Sequence, residues 1–232
     1  MTKADVRTRG TARRSAASPP TPVVESNRER VSRRQVDKFA QRRDELAEAA
    51  LQTLSELGYA RTSLREIAQN STFSHGVLHY YFSDKVDLII HCVKHYKAIC
   101  VLRYDRILAD ARTAPGLAEA FAAGLSASAR EDGPLHRLWY DMRSQSMFEP
   151  AFRTDVLDID DSLQAMIGRI VGRYADLAGC AVAVDEPTVY AMFDGLFQHA
   201  LLRDTAGVDG TLDLLADRVR RLLPGLVAPR VC

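Results

Sequence analysis

Apolar residues recur every three or four positions along most of the chain, which is the spacing of helices with one buried face. The strongest such stripe falls within residues 37–57, and Gly58 follows it at a position where glycine commonly ends a helix. No segment alternates apolar and polar residues as a half-buried β-strand does. Later helices are predicted over about residues 84–111, 115–130, 134–147, 149–178, 185–203 and 210–225.

Two short amphipathic helices with a tight corner between them are predicted within residues 62–83. Ser63 and Glu66 have the spacing of a capping box at the start of the first helix. Ser74 has the same capping role at the start of the second. The pair predicts a helix-turn-helix, whose second helix, called the reading helix below, lies in the major groove of DNA. The whole pattern predicts an all-α protein of about nine helices, with three in an N-terminal DNA-binding domain and the rest in a C-terminal domain.

The amino-acid sequence of this region is more specific than its pattern of apolar and polar positions. Residues 62–68 read TSLREIA, residues 74–82 read SHGVLHYYF and residues 83–88 read SDKVDL. Over about residues 42–97 the chain resembles the N-terminal domain of the TetR family of bacterial transcription regulators. The resemblance implies a dimeric DNA-binding regulator with a helical ligand-binding domain.

The resemblance also implies which residues contact DNA. Four of them face the major groove, while the others flank it, cap the reading helix or contact phosphates. Arg65 also has the shape to read a guanine, because a guanidinium matches its O6 and N7 acceptors. The implied set is Thr62, Ser63, Arg65, Ser74, His75, Gly76, Val77, His79, Tyr80 and Lys85.

Four positions depart from the usual family pattern, and they affect the operator sequence rather than the fold. Thr72 stands in the turn where glycine is favoured, and Val77 lacks the hydroxyl of the more common threonine. His75 and His79 replace other polar or aromatic residues on the reading helix. Because histidine gains a positive charge near neutral pH, we expect tighter DNA binding at pH 6 than at pH 8.

Charge and composition divide the chain into three parts. Residues 1–36 carry nine Lys and Arg against three Asp and Glu, and their prolines and polar residues predict a disordered basic arm. Such an arm either touches the DNA backbone or is only a solvated leader. Residues 37–83 form the predicted DNA-binding domain, and residues 84–232 form the predicted effector-binding and dimerisation domain.

The composition, with 47% hydrophobic and 26% charged residues, is that of a soluble globular protein. No apolar run approaches the roughly 18–20 residues that span a bilayer, and the N-terminal region lacks the apolar core of a secretory signal. The four widely spaced cysteines are typical of a reduced, cytoplasmic protein. We therefore expect a cytoplasmic protein with no membrane partner.

Catalysis and cofactor binding find little support in the sequence. There is no glycine-rich phosphate loop, nucleophile elbow or paired-carboxylate arrangement, so we expect neither an enzyme nor a cofactor. His91, Cys92 and His95 have spacing suited to a metal on one helix. Strong zinc signatures pair ligands across elements, which favours the absence of a metal site here.

The C-terminal half more weakly resembles the BetI-like subgroup of the family, through a Trp-Tyr helix and a DGLF segment. This resemblance implies a small-molecule pocket within each subunit, of the apolar kind that carries a few polar groups. Most of the candidates could equally be ordinary core residues. They are Trp139, Tyr140, Arg143, Met147, Phe148, Phe152, Met166, Tyr174, Phe193 and Phe197, with Gln145, Gln198 and His199 as further polar candidates.

The last two helices are implied to form a homodimer through a four-helix bundle. Two-fold symmetry would place two reading helices on a near-palindromic operator in double-stranded DNA. The expected function is a repressor that a small-molecule effector releases, and the alternative is a ligand-independent or architectural DNA-binding protein. The implied interface residues are Val189, Met192, Leu196, Ala200, Leu212, Leu215, Val219 and Leu222.

Overall fold

The computed structural model describes residues 27–58 and 62–230, with side chains described from residue 34 onward. Nine α-helices lie within these residues, together with one short 3-10 helix, Pro150–Phe152. The helices are α1 (Asn27–Leu57), α2 (Leu64–Gln69), α3 (His75–Tyr81), α4 (Lys85–Asp110), α5 (Ala114–Glu131), α6 (Gly133–Gln145), α7 (Arg153–Ala178), α8 (Glu186–Thr205) and α9 (Thr211–Gly225).

Helix α1 is longer than the sequence pattern predicted. It begins at Asn27 rather than near residue 37, so the predicted disordered arm is wrong for residues 27–36. That stretch lacks an apolar stripe but also lacks proline, and its charged residues are good helix formers. The rest of the predicted arm, residues 1–26, lies outside the described residues.

The helix ends follow from local side chains. The Ser63 hydroxyl accepts a hydrogen bond from the backbone N–H of Glu66, and the Ser74 hydroxyl accepts one from Val77. Asp84, rather than the preceding serine, caps α4 by accepting from the N–H of Asp87. These caps satisfy backbone donors that the first turn of a helix leaves unpaired.

One two-stranded sheet went unpredicted. Strands β1 (Cys180–Val182) and β2 (Val227–Pro229) pair antiparallel after α7 and after α9. Gly179 ends α7 with φ of +68°, a conformation that glycine adopts without strain. The sheet ties the ends of two distant helices together, and three-residue strands are too short to show a sequence period.

The helix-turn-helix and the C-terminal helices share a continuous buried core. In the N-terminal part, α1, α2 and α3 bury apolar residues against the start of α4. In the C-terminal part, α5 packs extensively against α9, and α7 packs against both α4 and α8. Helix α4 therefore belongs to both parts, with its first turns beside the helix-turn-helix and its later turns among the C-terminal helices.

Among the described residues, every helix is too short or too polar to cross a membrane.

Candidate DNA-reading surface and effector cavity

Helix α3 presents its polar side to solvent. His75, Gly76 and His79 are exposed, and the Tyr80 side chain is 73% exposed. On the opposite side Leu78 is fully buried and anchors the helix in the core. The predicted division of this helix into an inner and an outer face is therefore present in the structure.

The two histidines of this surface lie against each other. Their Nε2 atoms are 3.2 Å apart, and their ring centroids are separated by 4.4 Å in an edge-to-face arrangement. One ring must donate while the other accepts, because two N–H groups cannot share one hydrogen bond. His75 and His79 thus form a single polar unit at the exposed start of α3.

The predicted DNA contacts that flank the reading helix differ in exposure. Some are open to solvent, and one is engaged in a hydrogen bond within the protein. Ser63 and Arg65 are exposed at the start of α2, and Lys85 is half-buried at the start of α4. The Thr62 side chain is only 3% exposed, and its hydroxyl donates to the Gly58 carbonyl at 2.7 Å. Thr62 therefore stabilises the turn after α1 and does not present a hydroxyl for a phosphate.

Two further predicted contacts have internal roles. The hydroxyl of Ser74 is the cap of α3, and Val77 is half-buried against the core. Gly76 has no such role, because a Cβ added there would meet no atom within 4 Å. The absence of a side chain at Gly76 thus leaves open space above the helix surface.

Arg43 joins α1 to the elements that carry the reading surface. Its guanidinium forms an ion pair with Asp87 in the first turn of α4 and lies 4.6 Å from the ring centroid of Phe82. Arg42 lies in the same way over Phe73, at 4.8 Å. Cation–π contacts with partly buried partners hold geometry more firmly than exposed ion pairs do. Two arginines of α1 therefore contact aromatic residues on either side of the reading helix.

A cavity of about 60 Å³ lies within the C-terminal helices. Its volume holds several water molecules or a small organic group. Helices α4, α5, α6, α7 and α8 all contribute to its wall. The lining residues are Lys97, Cys100, Tyr104, Leu125, Ser128, His136, Trp139, Tyr140, Leu163, Met166, Ile167, Tyr190, Phe193, Asp194 and Phe197.

A buried polar cluster occupies one side of this cavity. The Nζ of Lys97 lies 3.1 Å from Nδ1 of His136, and His136 Nε2 lies 2.8 Å from the Ser128 hydroxyl and 3.1 Å from that of Tyr96. Since an ammonium only donates, Nδ1 accepts and Nε2 carries the ring hydrogen. The imidazole is therefore neutral and joins three helices.

Burial governs the ionisation of this cluster. It lowers the pKa of His136 well below the ordinary 6.5, and the nearby charges of Lys97 and Arg103 act in the same direction. Burial also lowers the pKa of Lys97 to about 8. At neutral pH the cavity thus holds a neutral histidine and a lysine that is still mostly protonated.

A second polar network also reaches the cavity wall. Arg143 Nη1 lies 2.6 Å from Oδ2 of Asp194, and the Tyr140 hydroxyl donates to Oδ1 of the same carboxylate at 2.9 Å. Arg143 also forms an ion pair with Asp160 at 3.2 Å, and Asp160 accepts from the Tyr190 hydroxyl at 2.6 Å. Arg143 therefore lies between the two carboxylates, and each carboxylate also accepts a hydrogen bond from a tyrosine hydroxyl.

Some of the predicted effector residues line the cavity, and the others lie elsewhere in the chain. Trp139, Tyr140, Met166, Phe193 and Phe197 line the cavity, and Arg143 reaches it through its bond to Asp194. The other four do not line it: Met147 and Phe148 are 68% and 82% exposed after α6, whereas Phe152 and Tyr174 are buried in other parts of the core. Gln198 and His199 lie in a separate surface depression between α6 and α8.

The metal-like spacing on α4 reflects packing against α1. His91 Nε2 lies 2.8 Å from Asp44, and His95 Nε2 lies 3.2 Å from Glu48. Cys92 is fully buried, and its thiol lies 3.4 Å from the Ala47 carbonyl. These side chains contact α1, where His91 and His95 both approach Asp44 while Cys92 approaches the backbone.

Most of the predicted interface residues are already buried within the single chain. Five of the eight are at most 7% exposed, so they leave little surface for contact with a second copy. They are Val189, Ala200, Leu212, Leu215 and Val219. The other three, Met192, Leu196 and Leu222, line an apolar surface depression together with Arg218 and Arg221.

Comparison with known families matches both halves of the chain. Residues 46–92 match a model described as bacterial regulatory proteins of the tetR family, and residues 116–224 match one described as BetI-type transcriptional repressor, C-terminal. The two regions together cover more than half of the 232 residues. The chain belongs to the TetR family of bacterial transcriptional regulators. Both resemblances predicted from its sequence are thereby confirmed.

Curated relatives of this TetR-family chain include regulators named BetI. It is 32% identical over 114 residues to the BetI of Paraburkholderia phymatum, an alignment that spans 48% of this chain and 58% of that protein. It is 28% identical over 197 residues to the BetI of Burkholderia mallei, which spans 82% of this chain and 95% of that protein. The longer alignment extends the likeness through both domains.

Solved structures of transcriptional regulators share the fold at low identity. FadR of Bacillus subtilis in complex with stearoyl-CoA has a TM-score of 0.65 and 17% identity, covering 77% of this chain and 95% of that one. A Saccharomonospora viridis regulator in complex with choline has a TM-score of 0.66 and 15% identity, covering 82% and 99%. At such identities the likeness supports the architecture alone.

The sequence of this TetR-family chain did not indicate several of its cavity residues. Lys97, Ser128 and His136 lie in the predicted effector-binding domain, but none of them belongs to a motif that marked a cavity residue. The signal that could have found them is a basic residue at an apolar position of α4, since lysine is rarely buried without a reason. Which faces of five helices meet at one cavity is a tertiary property that no local pattern encodes.

Proposed function

We propose that this chain is a repressor that binds a near-palindromic operator as a homodimer and is released by a small-molecule effector. The observation that carries the proposal is the position of α4. Its first residue, Lys85, follows the reading helix closely, and three later residues of the same helix, Lys97, Cys100 and Tyr104, line the cavity. A ligand that moves this helix moves the DNA-binding part with it.

The base-reading role is assigned to the exposed start of α3. His75 and His79 are solvent-exposed and hydrogen-bonded to each other, and Gly76 leaves room for the DNA backbone or base edges to approach. Recognition helices of this motif contact bases through their N-terminal residues. These three residues therefore set the sequence preference.

The positioning role is assigned to residues around the reading helix. Ser63, Arg65, Tyr80 and Lys85 are exposed or half-buried polar side chains on α2, α3 and α4. Contacts to phosphate fix register and orientation without reading sequence. Arg65 also retains the assignment of a guanine contact, while Thr62 is left out because its hydroxyl is engaged inside the protein.

The dimer is assigned to the outer faces of α8 and α9. Met192 is 41% exposed and lies with Leu196 and Leu222 in one apolar depression, and Leu202 and Leu214 add exposed apolar surface on the same two helices. Exposed apolar patches of this kind mark contact surfaces. A two-fold axis there would place two copies of α3 on one face of the duplex.

The effector is assigned to the cavity among the C-terminal helices. Transcriptional regulators of the same fold hold ligands as different as choline and stearoyl-CoA, so the ligand of this chain must be sought from its own lining residues. The ligand must bind the DNA-incompetent state more tightly, because equal affinity for both states would shift nothing.

Selection of random duplex DNA by the purified protein, followed by sequencing, tests the DNA-binding half of the proposal. A near-palindromic consensus is the expected result. Recovery of unrelated sequences would overturn it in favour of an architectural DNA-binding protein. The selected duplex then serves in gel-shift assays with candidate effectors, and the repressor assignment requires that one of them release the DNA.

A further inference from the structure

Lys97 is a buried cation without an anionic partner. Its side chain is 6% exposed, and its Nζ contacts the neutral His136 ring. Within the part of the chain that the structure describes, no carboxylate forms an ion pair with it. Buried charges in proteins are normally paired or neutralised, because removing an ion from water is costly. Among the described residues Lys97 therefore has no counter-ion in direct contact.

Trp139 adds a second unused donor to the same cavity. Its side chain is 1% exposed, and among the described residues its indole Nε1–H has no hydrogen-bond partner. The indole ring lies 5.4 Å from the Nζ of Lys97. A buried donor without an acceptor is rare in native structures and requires an explanation. The cavity wall thus contains a buried ammonium and a buried indole N–H, and no carboxylate of the described residues is in hydrogen-bond contact with either of them.

The carboxylates near the cavity do not complete this environment. Asp194 already accepts from Arg143 at 2.6 Å and from the Tyr140 hydroxyl at 2.9 Å. Asp132 is paired with Arg103 at 3.0 Å. These carboxylates are therefore in direct contact with arginines, and Asp194 and Asp132 act on Lys97 only at longer range, where they raise its pKa against the effect of burial.

A cationic ligand is disfavoured by the same geometry. The Nζ of Lys97 lies 5.4 Å from the ring centroid of Trp139 and 5.5 Å from that of Tyr96. These are the distances at which a ligand cation would contact an aromatic face. The protein's own ammonium already occupies that position and would repel a second positive charge.

We propose that the effector of this chain carries a carboxylate, which binds the ammonium of Lys97 and the indole N–H of Trp139. Met166, Phe193 and Phe197 then contact a small apolar body attached to that group. The inference rests on the proposed effector role of the cavity and adds the chemical class of the ligand. Burial lowers the pKa of Lys97 to about 8, and an anion bound beside it would raise that pKa.

The single tryptophan of the chain provides the test. Because Trp139 is the one tryptophan among 232 residues and lies in the cavity wall, intrinsic fluorescence reports occupancy directly. The full-length protein is titrated with acetate, butanoate, hexanoate and benzoate, with the matching primary amides, and with choline. The expected result is that at least one carboxylate binds about tenfold or more tightly than its amide, as a charge-assisted hydrogen bond requires.

The variant Lys97→Met assigns the preference to this residue. It keeps the apolar stem without the charge, so it should bind carboxylate and amide equally, whereas Lys97→Arg should retain preference for the carboxylate. The proposal is overturned if no carboxylate gives a saturable response, if the amide or choline binds as tightly, or if Lys97→Met keeps the preference. The wild-type comparison of acid with amide stands even if that variant does not fold.

The titration contains no DNA, so it separates this inference from the proposed function. A carboxylate that binds through Lys97 but leaves the operator complex intact would support the anion site and overturn the effector role of that compound. Release of the operator by choline, with no response to any carboxylate, would support the repressor assignment and overturn the anion site.

Discussion

Gly76 is a residue that the protein's own packing does not explain. Its φ is not positive and a Cβ there would meet open space, so alanine fits the fold. Gly76→Ala should raise the free energy of unfolding by up to about 1 kcal/mol, because alanine favours a helix. It should also weaken operator binding by about tenfold, since a methyl group would hold the helix away from DNA.

Gly172→Ala is the matched control for this change. Gly172 lies within α7, and a Cβ there likewise meets no atom within 4 Å. Denaturant unfolding should show a gain in both variants, while gel-shift assays should show loss of DNA binding only for Gly76→Ala. Wild-type DNA affinity in Gly76→Ala would contradict the close approach of DNA to this residue.

Replacing Lys85 should change the overall affinity for DNA, whereas replacing His79 should change the base preference. Lys85→Ala should weaken binding to every duplex alike and reduce the salt dependence, because a lysine–phosphate contact is indifferent to sequence. His79→Ala should change which base is preferred at one position of each half-site. Affinities measured over a set of operator variants distinguish the two patterns, and an exchange of the patterns would reverse the assigned roles.

At the level of elements, His136 joins α4, α5 and α6 through one buried ring. Its lowered pKa means that the unfolded chain binds a proton at pH values where the folded chain does not. The free energy of unfolding should therefore fall as pH drops below 6.5, by at most about 1.4 kcal/mol per pH unit from this group.

Urea unfolding between pH 7 and pH 5, at fixed protein concentration because dimerisation shifts apparent stability, measures this effect. His136→Gln should flatten the pH dependence, since an amide does not titrate in this range. A wild-type slope retained in His136→Gln would place the acid sensitivity elsewhere.

Local signals predicted the elements well where caps were present. Ser63, Ser74 and Gly58 mark helix ends in the sequence and act at those ends in the structure. The start of α1 was misplaced because residues 27–36 show no apolar stripe, and β1 was missed because its three residues gain their structure only by pairing with β2. Pairing across 45 residues is not a local property.

At the level of the whole molecule, the dimer can be tested without DNA. Met192 is 41% exposed in the apolar depression of α8 and α9, and Leu157 is 60% exposed on α7. Met192→Glu should produce monomers, because a carboxylate would be buried against its symmetry mate. Leu157→Glu should remain dimeric. Sedimentation velocity measures both, and a dimeric Met192→Glu would move the interface to another face.

Helix α6, like α4, contacts both the cavity and the N-terminal helices. Trp139 lies in the cavity wall, and Asp141 lies beside the turn where α1 ends, 3.5 Å from the place of a Cβ on Gly58. Any factor by which a cavity ligand lowers operator affinity must equal the factor by which operator DNA lowers ligand affinity. A regulator bound to its operator would then bind the ligand more weakly than a free regulator. Promoters with different operator strengths in one cell would open in order as the ligand accumulates, the weakest first.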